Sequence, residues 1–178
     1  MRFPKDAVHA RLIGIILDDL NRSGKYQKPF VEFPYNEYGS RGFVDILAIE
    51  RPRIFRRTHC DIIEVKSIIS DLGEAIRQLK KAKNFFRFRH VDTDDNKRFR
   101  FDVPRTVLAF PNTEENANIV VHNFSVLKHA DKSLEFMVVA KEKDVFVVRR
   151  FRPEHAVAEE FMHFSHRGRI ESRHDVLE

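Results

Sequence analysis

The chain is short of the residues that fix structure by covalent chemistry. It has one cysteine, Cys60, and no tryptophan. A single cysteine excludes an internal disulfide and fits a reducing compartment, so a cytoplasmic location is expected. Glycine is scarce, at six residues in 178. No G-x-x-x-x-G-K-[ST] loop and no G-x-S-x-G turn occurs, so nucleotide-loop and serine-type chemistries have no support. No apolar run approaches the roughly 18 residues of a membrane span, and no membrane partner is expected. Met1-Arg2-Phe3-Pro4-Lys5-Asp6 lacks the apolar core of a signal peptide.

What is present describes a folded chain with a cationic surface. Hydrophobic residues make up 42%, which excludes a disordered protein. The net charge of +5 favours a polyanionic partner. The length suits one domain over residues 1–168, followed by a polar C-terminal tail, 169–178, expected to hold little order.

Helical periodicity runs over 4–20 through Val8, Leu12, Ile15, Ile16 and Leu20. A short strand over 30–33 and a turn region over 34–41 follow. Apolar strands are expected at 43–49 and 60–66. Asp71 is placed to cap a helix running to about residue 88. Then come a polar loop, a strand at 106–110, a helix capped by Thr113 and running to about 128, a hairpin over 134–140 and 145–151, and a last helix from Pro153 to about 168. Strands and helices mixed in this order give an α/β fold.

Two of those strands carry charge where none is expected. Asp45 lies inside Phe43-Val44-Asp45-Ile46-Leu47-Ala48-Ile49, and Glu64 and Lys66 end Cys60-Asp61-Ile62-Ile63-Glu64-Val65-Lys66. A buried, unpaired carboxylate costs roughly several kcal/mol. The linker from Glu50 to His59 is rich in arginine and suits a turn. If the strands fold back on one another so that residue 50 faces 59, Asp45 faces Glu64. Directly opposed Cβ atoms lie about 4.5–5.5 Å apart, so two carboxylates there repel unless a cation lies between them. Lys66 falls on the same face as Glu64 by strand alternation. Two hard oxygen donors with a lysine beside them have the composition of a Mg²⁺ site, with Mn²⁺ as a substitute.

The triplet alone is uninformative. A chain with 27 acids should hold an acid-x-Lys triplet about twice by chance. It does, at Glu64-Val65-Lys66 and at Asp95-Asn96-Lys97. Only the first sits in an apolar strand.

Gly42-Phe43-Val44-Asp45-Ile46-Leu47, Ile63-Glu64-Val65-Lys66-Ser67 and Glu74-Ala75-Ile76-Arg77-Gln78-Leu79 resemble the PD-(D/E)xK nuclease superfamily. This group includes restriction-endonuclease-like enzymes and Holliday junction resolvases. The likeness covers roughly residues 31–86. It implies a restriction-endonuclease-like three-layer α/β/α core with a central mixed sheet. It implies Asp45 and Glu64 as metal ligands, assisted by the backbone carbonyl of Val65, and Lys66 as the residue acting on the attacking water. Gln78 matches a glutamine on the following helix, and Glu32 matches an upstream acid that joins the metal set. Val44 departs from the proline of the pattern, and Ala82 from an aromatic after the glutamine.

Other features carry two readings each. Arg87, Arg89, Arg98 and Arg100 alternate with phenylalanines, which suits either a nucleic-acid surface or ordinary inside–outside alternation. His163 and His166 have a metal-compatible spacing, but no further ligand is near in sequence. His9, with Asp18 and Asp19, suits either a solvated helix face or an approach to the Asp45 site. Cys60 reads as a small buried apolar residue. Glu32 fits an edge strand equally well.

The expected function is a metal-dependent phosphodiesterase acting on nucleic acid, DNA before RNA, and a homodimer is compatible with it. The alternatives are a silent binding module, a nuclease acting on RNA or free nucleotides, and, for the three charges, an ion network that merely holds the sheet.

Overall fold

The structure, a computed structural model, describes residues 7–37, 39–51, 58–87, 90–92, 98–101 and 104–177. A six-stranded mixed sheet is flanked by helices. Its strands are β1 (Phe30–Glu37), β2 (Ser40–Ile49), β3 (Cys60–Val65), β6 (Arg105–Pro111), β7 (Leu134–Glu142) and β8 (Val145–Phe151). They lie side by side in that order. β1, β2 and β3 form an antiparallel meander, β6 and β7 continue parallel to β3, and β8 returns antiparallel. A separate two-stranded ribbon pairs β4 (His90–Asp92) with β5 (Arg98–Arg100).

Alternation along the strands divides the apolar residues into two cores. α1 (Ala7–Arg22) sets Val8, Leu12, Ile15, Ile16 and Leu20 on Ile46, Ala48, Ile63, Val65, Val107, Ala109, Met137 and Val139. α2 (Leu72–Phe86) sets Ala75, Leu79, Ala82 and Phe86 on the other face, against Leu47, Ile49, Ile62 and Leu108. α3 (Glu114–His122), α4 (Phe124–Ala130) and α5 (Ala158–Ser165) share that face. Phe161 fills it, with Phe136 at 5.9 Å and Phe151 at 5.1 Å between ring centroids. Each such side chain contributes about 1.5–3 kcal/mol on burial. β3, β6 and β7 are covered on both faces, which is why they read as nearly continuous apolar runs.

Several boundaries differ from the sequence reading. The turn expected over 34–41 is mostly strand, with β1 running to Glu37 and β2 starting at Ser40. Pro34 is tolerated because β1 is an edge strand. The helix expected over 113–128 breaks at Asn123, whose ψ of 9° leaves the helical range. Pro153 opens a single 3-10 turn, and α5 starts only at Ala158. The stretch from Arg169, expected as a polar tail, contributes Ile170 and Val176, both buried in the α1-side core. Asp71 caps α2 as expected, accepting from Glu74 N–H at 2.8 Å. The β7–β8 turn places Lys143 and Asp144 at φ 48° and 62°, the left-handed pair of a tight hairpin.

Candidate active site

The antiparallel register of β2 and β3 is the expected one. Ile49 pairs with Cys60, Ala48 with Asp61 and Ile46 with Ile63, and Glu50 N–H donates to His59 O at 2.9 Å. The next position brings Asp45 level with Glu64. The ladder ends at Ile46 and Ile63. Beyond it, Val65 N–H donates to Asp45 Oδ2 at 2.8 Å, so a side-chain oxygen replaces a strand carbonyl. The N–H and C=O of one strand residue face the same neighbour. The Val65 carbonyl therefore opens toward Asp45.

The strand pattern slips at this point. Val44 packs in the α2-side core and Ile46 in the α1-side core, although alternation would give them one face. In the β1–β2 register Val31 faces Ile46 and Phe33 faces Val44, which sets Glu32 level with Asp45. Glu32 has φ 54°, a left-handed conformation uncommon outside glycine. A paired irregularity in two strands re-aims side chains locally. Asp45 is 3% exposed, whereas Glu32 is exposed.

α1 reaches the same place. His9 Nε2 lies 3.4 Å from Asp45 Oδ2. Asp18 is exposed and Asp19 lines a different hollow, with Ser23 and Val145. Burial raises the Asp19 carboxyl above its usual range, with Arg150 and Arg22 opposing.

On the α2 side a polar chain starts at Glu64. Lys66 Nζ donates to Glu64 Oε1 at 2.8 Å and to Gln78 Oε1 at 3.4 Å. Gln78 Nε2 donates to Glu74 Oε1 at 3.0 Å. Arg77 grips Glu74 with two bonds of 2.6 and 2.7 Å, which hold the Glu74 carboxyl below its usual range. The Lys66 backbone is anchored to β6 through Ala109 O at 2.9 Å. The loop after it hangs on Asn116, fully buried at the start of α3. Its Oδ1 accepts from Ile69 N–H at 2.9 Å, and its Nδ2 donates to Ser67 O and Pro111 O. A groove of about 300 Å³ beside Glu64 is lined by Tyr35, Arg41, Phe43, Arg77, Gln78 and Lys81, among others.

Glu74, Asn116, Arg41 and Lys81 were missed in the sequence. The only signal was an asparagine beside Ala117 and Val120 on the apolar face of α3.

Arg87 is exposed at the C-cap of α2, and its N–H donates to Lys83 O at 2.9 Å. It follows Gln78 by nine residues, about 13 Å of helical rise. Arg98 and Arg100 occupy β5, level with Asp92 and His90. Arg89 lies outside the described residues.

A second buried charge cluster sits at the opposite end of β3. Fully buried Asp61 accepts from Tyr26 Oη at 2.5 Å, Arg105 Nε at 2.6 Å and both terminal nitrogens of Arg150 at 3.0 Å. Arg150 also bonds Glu135, and Arg105 reaches Glu50. Burial and the Asp61 charge push the Tyr26 phenol far up. This is a holding network for the sheet, and its centre is Asp61. Among the described residues no three His, Cys, Asp or Glu side chains gather as a metal-holding group, so neither Glu32 nor His9 joins Asp45 and Glu64 in one cluster. His163 and His166 are both exposed. Cys60 is fully buried, and burial pushes its thiol up, away from the reactive thiolate.

The chain matches no protein-family model, no curated protein and no solved structure.

Proposed function

We propose that the chain is a metal-dependent nuclease that hydrolyses phosphodiester bonds, in DNA before RNA. One observation carries this reading. Asp45 and Glu64 stand level at the open end of the β2–β3 ladder, with Lys66 bonded to Glu64. A mixed sheet with helices on both faces supports the restriction-endonuclease-like core.

The donors suit Mg²⁺ or Mn²⁺. The Asp45 and Glu64 carboxylates and the Val65 carbonyl are hard oxygen ligands, and waters complete the shell where few protein ligands exist. A two-carboxylate site of this kind needs no third acidic side chain. Asp45 is nearly fully buried, and a cation there offsets the cost of keeping it ionised. Such an ion, when bound, acidifies a coordinated water and neutralises charge on the phosphate.

The protein's own part is orientation and charge. An ammonium has three N–H donors. Two of Lys66's are aimed at Glu64 and Gln78, which leaves the third for the attacking water or a phosphate oxygen. Preorganised charge at that point is worth more than the same charge in water. The water oxygen bonds to phosphorus, one P–O ester bond breaks, and the water proton ends on the departing oxygen. The test is cleavage of duplex, single-stranded, branched and RNA substrates with and without Mg²⁺. Activity that needs metal and is lost in Asp45→Asn and Glu64→Gln is expected. Tight binding by the wild type with no cleavage of any substrate would favour a silent binding module instead.

A further inference from the structure

The sheet has two edges, β1 and β8, and only one of them is guarded. β1 carries Pro34 and the left-handed Glu32, at φ 54°, devices that stop a further strand from pairing. β8 reads Val-Phe-Val-Val-Arg-Arg-Phe, with no proline, no glycine and no positive φ. Its two charges are tied down. Arg149 bonds Glu142, and Arg150 bonds Asp61 and Glu135.

Backbone bonds fix which groups of β8 face outward. Lys141 pairs with Phe146, and Val139 with Val148. Lys141 N–H donates to Gly168 O at 3.1 Å, and Val139 O accepts from Asn112 N–H at 2.8 Å. Both residues therefore turn their backbone away from β8. These are the non-hydrogen-bonded pairs of the ladder, in which each residue points its N–H and C=O away from the other. The N–H and C=O of Phe146, Val148 and, by alternation, Arg150 face the open edge. Among the described residues no strand pairs there. A hollow of about 460 Å³ is lined by residues 145–149 of β8 and by Asp19 and Arg22 at the end of α1. Consecutive strand residues point to opposite faces, so a hollow touching this unbroken run follows the edge rather than one face.

The occupant that fits is a second β8. Val148 is the midpoint of the strand, and its N–H and C=O face out. Antiparallel pairing about Val148 sets residue 146 opposite 150 of the second copy, 147 opposite 149 and 145 opposite 151. The whole strand is then paired, through about six ladder bonds. Neither arginine meets its own kind. Arg150 lies opposite Phe146, a cation beside a ring, and Arg149 lies opposite Val147. Val145, 58% exposed, lies opposite Phe151. Centring the pair on residue 149 instead would oppose two copies of Arg149, a destabilising contact.

We propose that β8 pairs with β8 of a second copy about Val148, joining two six-stranded sheets into one. The two-fold axis of such a pair stands perpendicular to the sheet, so β3 runs in opposite directions in the two copies. The two Asp45–Glu64 sites then open at opposite ends of the joined sheet and take separate substrates. The pairing goes beyond the nuclease reading and does not depend on it.

The test is sedimentation of the full chain from roughly micromolar to several hundred micromolar protein, with amide exchange followed at both ends of that range. A mass approaching that of a dimer is expected at the upper end. The amides of Phe146, Val148 and Arg150 should exchange about fivefold more slowly there, while those of Val145, Val147 and Arg149, already bonded to β7, should not change. Val148→Pro removes an outward N–H and spares the β7 ladder, so it should be a folded monomer, with circular dichroism as the check. Val147→Arg, at a half-buried position, sets an arginine against Arg149 of the second copy and should also be monomeric. A wild type that stays monomeric throughout would overturn the proposal and leave the edge to an extended peptide of another protein. A dimer that survives in folded Val148→Pro would overturn it too, as would slowing confined to other amides. If Val148→Pro does not fold, Val147→Arg takes its place.

Discussion

Val65 N–H donates to Asp45 Oδ2 at 2.8 Å across the end of the β2–β3 ladder. The bond uses a carboxylate oxygen where a strand carbonyl would serve, and so fixes a buried charge at the point where the two strands part. Asp61, four residues before Val65, is buried too, but it is surrounded by Tyr26, Arg105 and Arg150. The two buried aspartates, at opposite ends of β3, differ in what compensates them, and that difference can be measured.

Removing the charge should have opposite effects at the two sites. Asp61→Asn leaves two arginines facing a neutral amide and should cost about 3–5 kcal/mol. Asp45→Asn should raise the melting temperature in EDTA, because one buried charge is lost. The wild type should be stabilised by millimolar Mg²⁺ or Mn²⁺ through mass action, and Asp45→Asn should not. Calorimetric melts with and without metal read all four quantities. A wild-type melt indifferent to metal, with Asp45→Asn the weaker protein, would make Asp45 a structural residue.

Lys66→Ala should abolish cleavage and leave DNA affinity within about twofold. Lys66 acts on one water or phosphate, whereas affinity is summed over many cationic contacts and falls steeply with salt. Single-turnover cleavage and anisotropy on the same preparation separate the two. A loss of binding equal to the loss of cleavage would place Lys66 in substrate binding instead.

Neutralising Arg87, Arg89, Arg98 and Arg100 together should do the reverse. The expected result is weaker binding, a shallower dependence of affinity on salt, and cleavage recovered at high protein concentration. Arg87 caps the C-terminus of α2, nine residues beyond Gln78, so it would touch the substrate away from the cut. An unchanged salt slope would remove them from the interface.

Asp131 gives an acid-sensitive stability term. Burial raises its carboxyl, but hydrogen bonds from Lys83 and Ser133 outweigh this and hold it below its usual value. Lys83 Nζ lies 2.7 Å from Oδ1, and Thr106 Oγ1 lies 3.1 Å from Oδ2. The stabilisation is therefore complete above the unfolded carboxylate value of about 4 and is lost as pH falls through the lower folded value. Asp131→Asn should cost about 2 kcal/mol near neutral pH, and the gap to wild type should narrow below pH about 4. Urea titrations across that range check it; a gap independent of pH would mean that Asp131 acts through shape rather than charge.

The sequence by itself determined the parts that depend on local pattern. Continuous apolar runs place the central strands, period-3.6 apolar residues place α1, and the Asp71 cap places the start of α2, because each of these signals is local. The arginine-rich linker was enough to set the register that brings Asp45 level with Glu64, since the pairing of a meander follows from where it turns. The same logic misjudged Pro34, because whether a strand is an edge depends on its neighbours. Ile170 and Val176 look like tail for a similar reason, since two isolated apolar residues show no period until α1 is there to cover them. The exchange of a ladder bond for the Asp45 carboxylate, the reach of His9, the Glu74–Gln78–Lys66 chain and the groove between β2 and α2 were decided only by the tertiary structure. Each joins residues from separate elements at angles fixed by the twist and packing of the sheet, and no spacing along the chain encodes those angles.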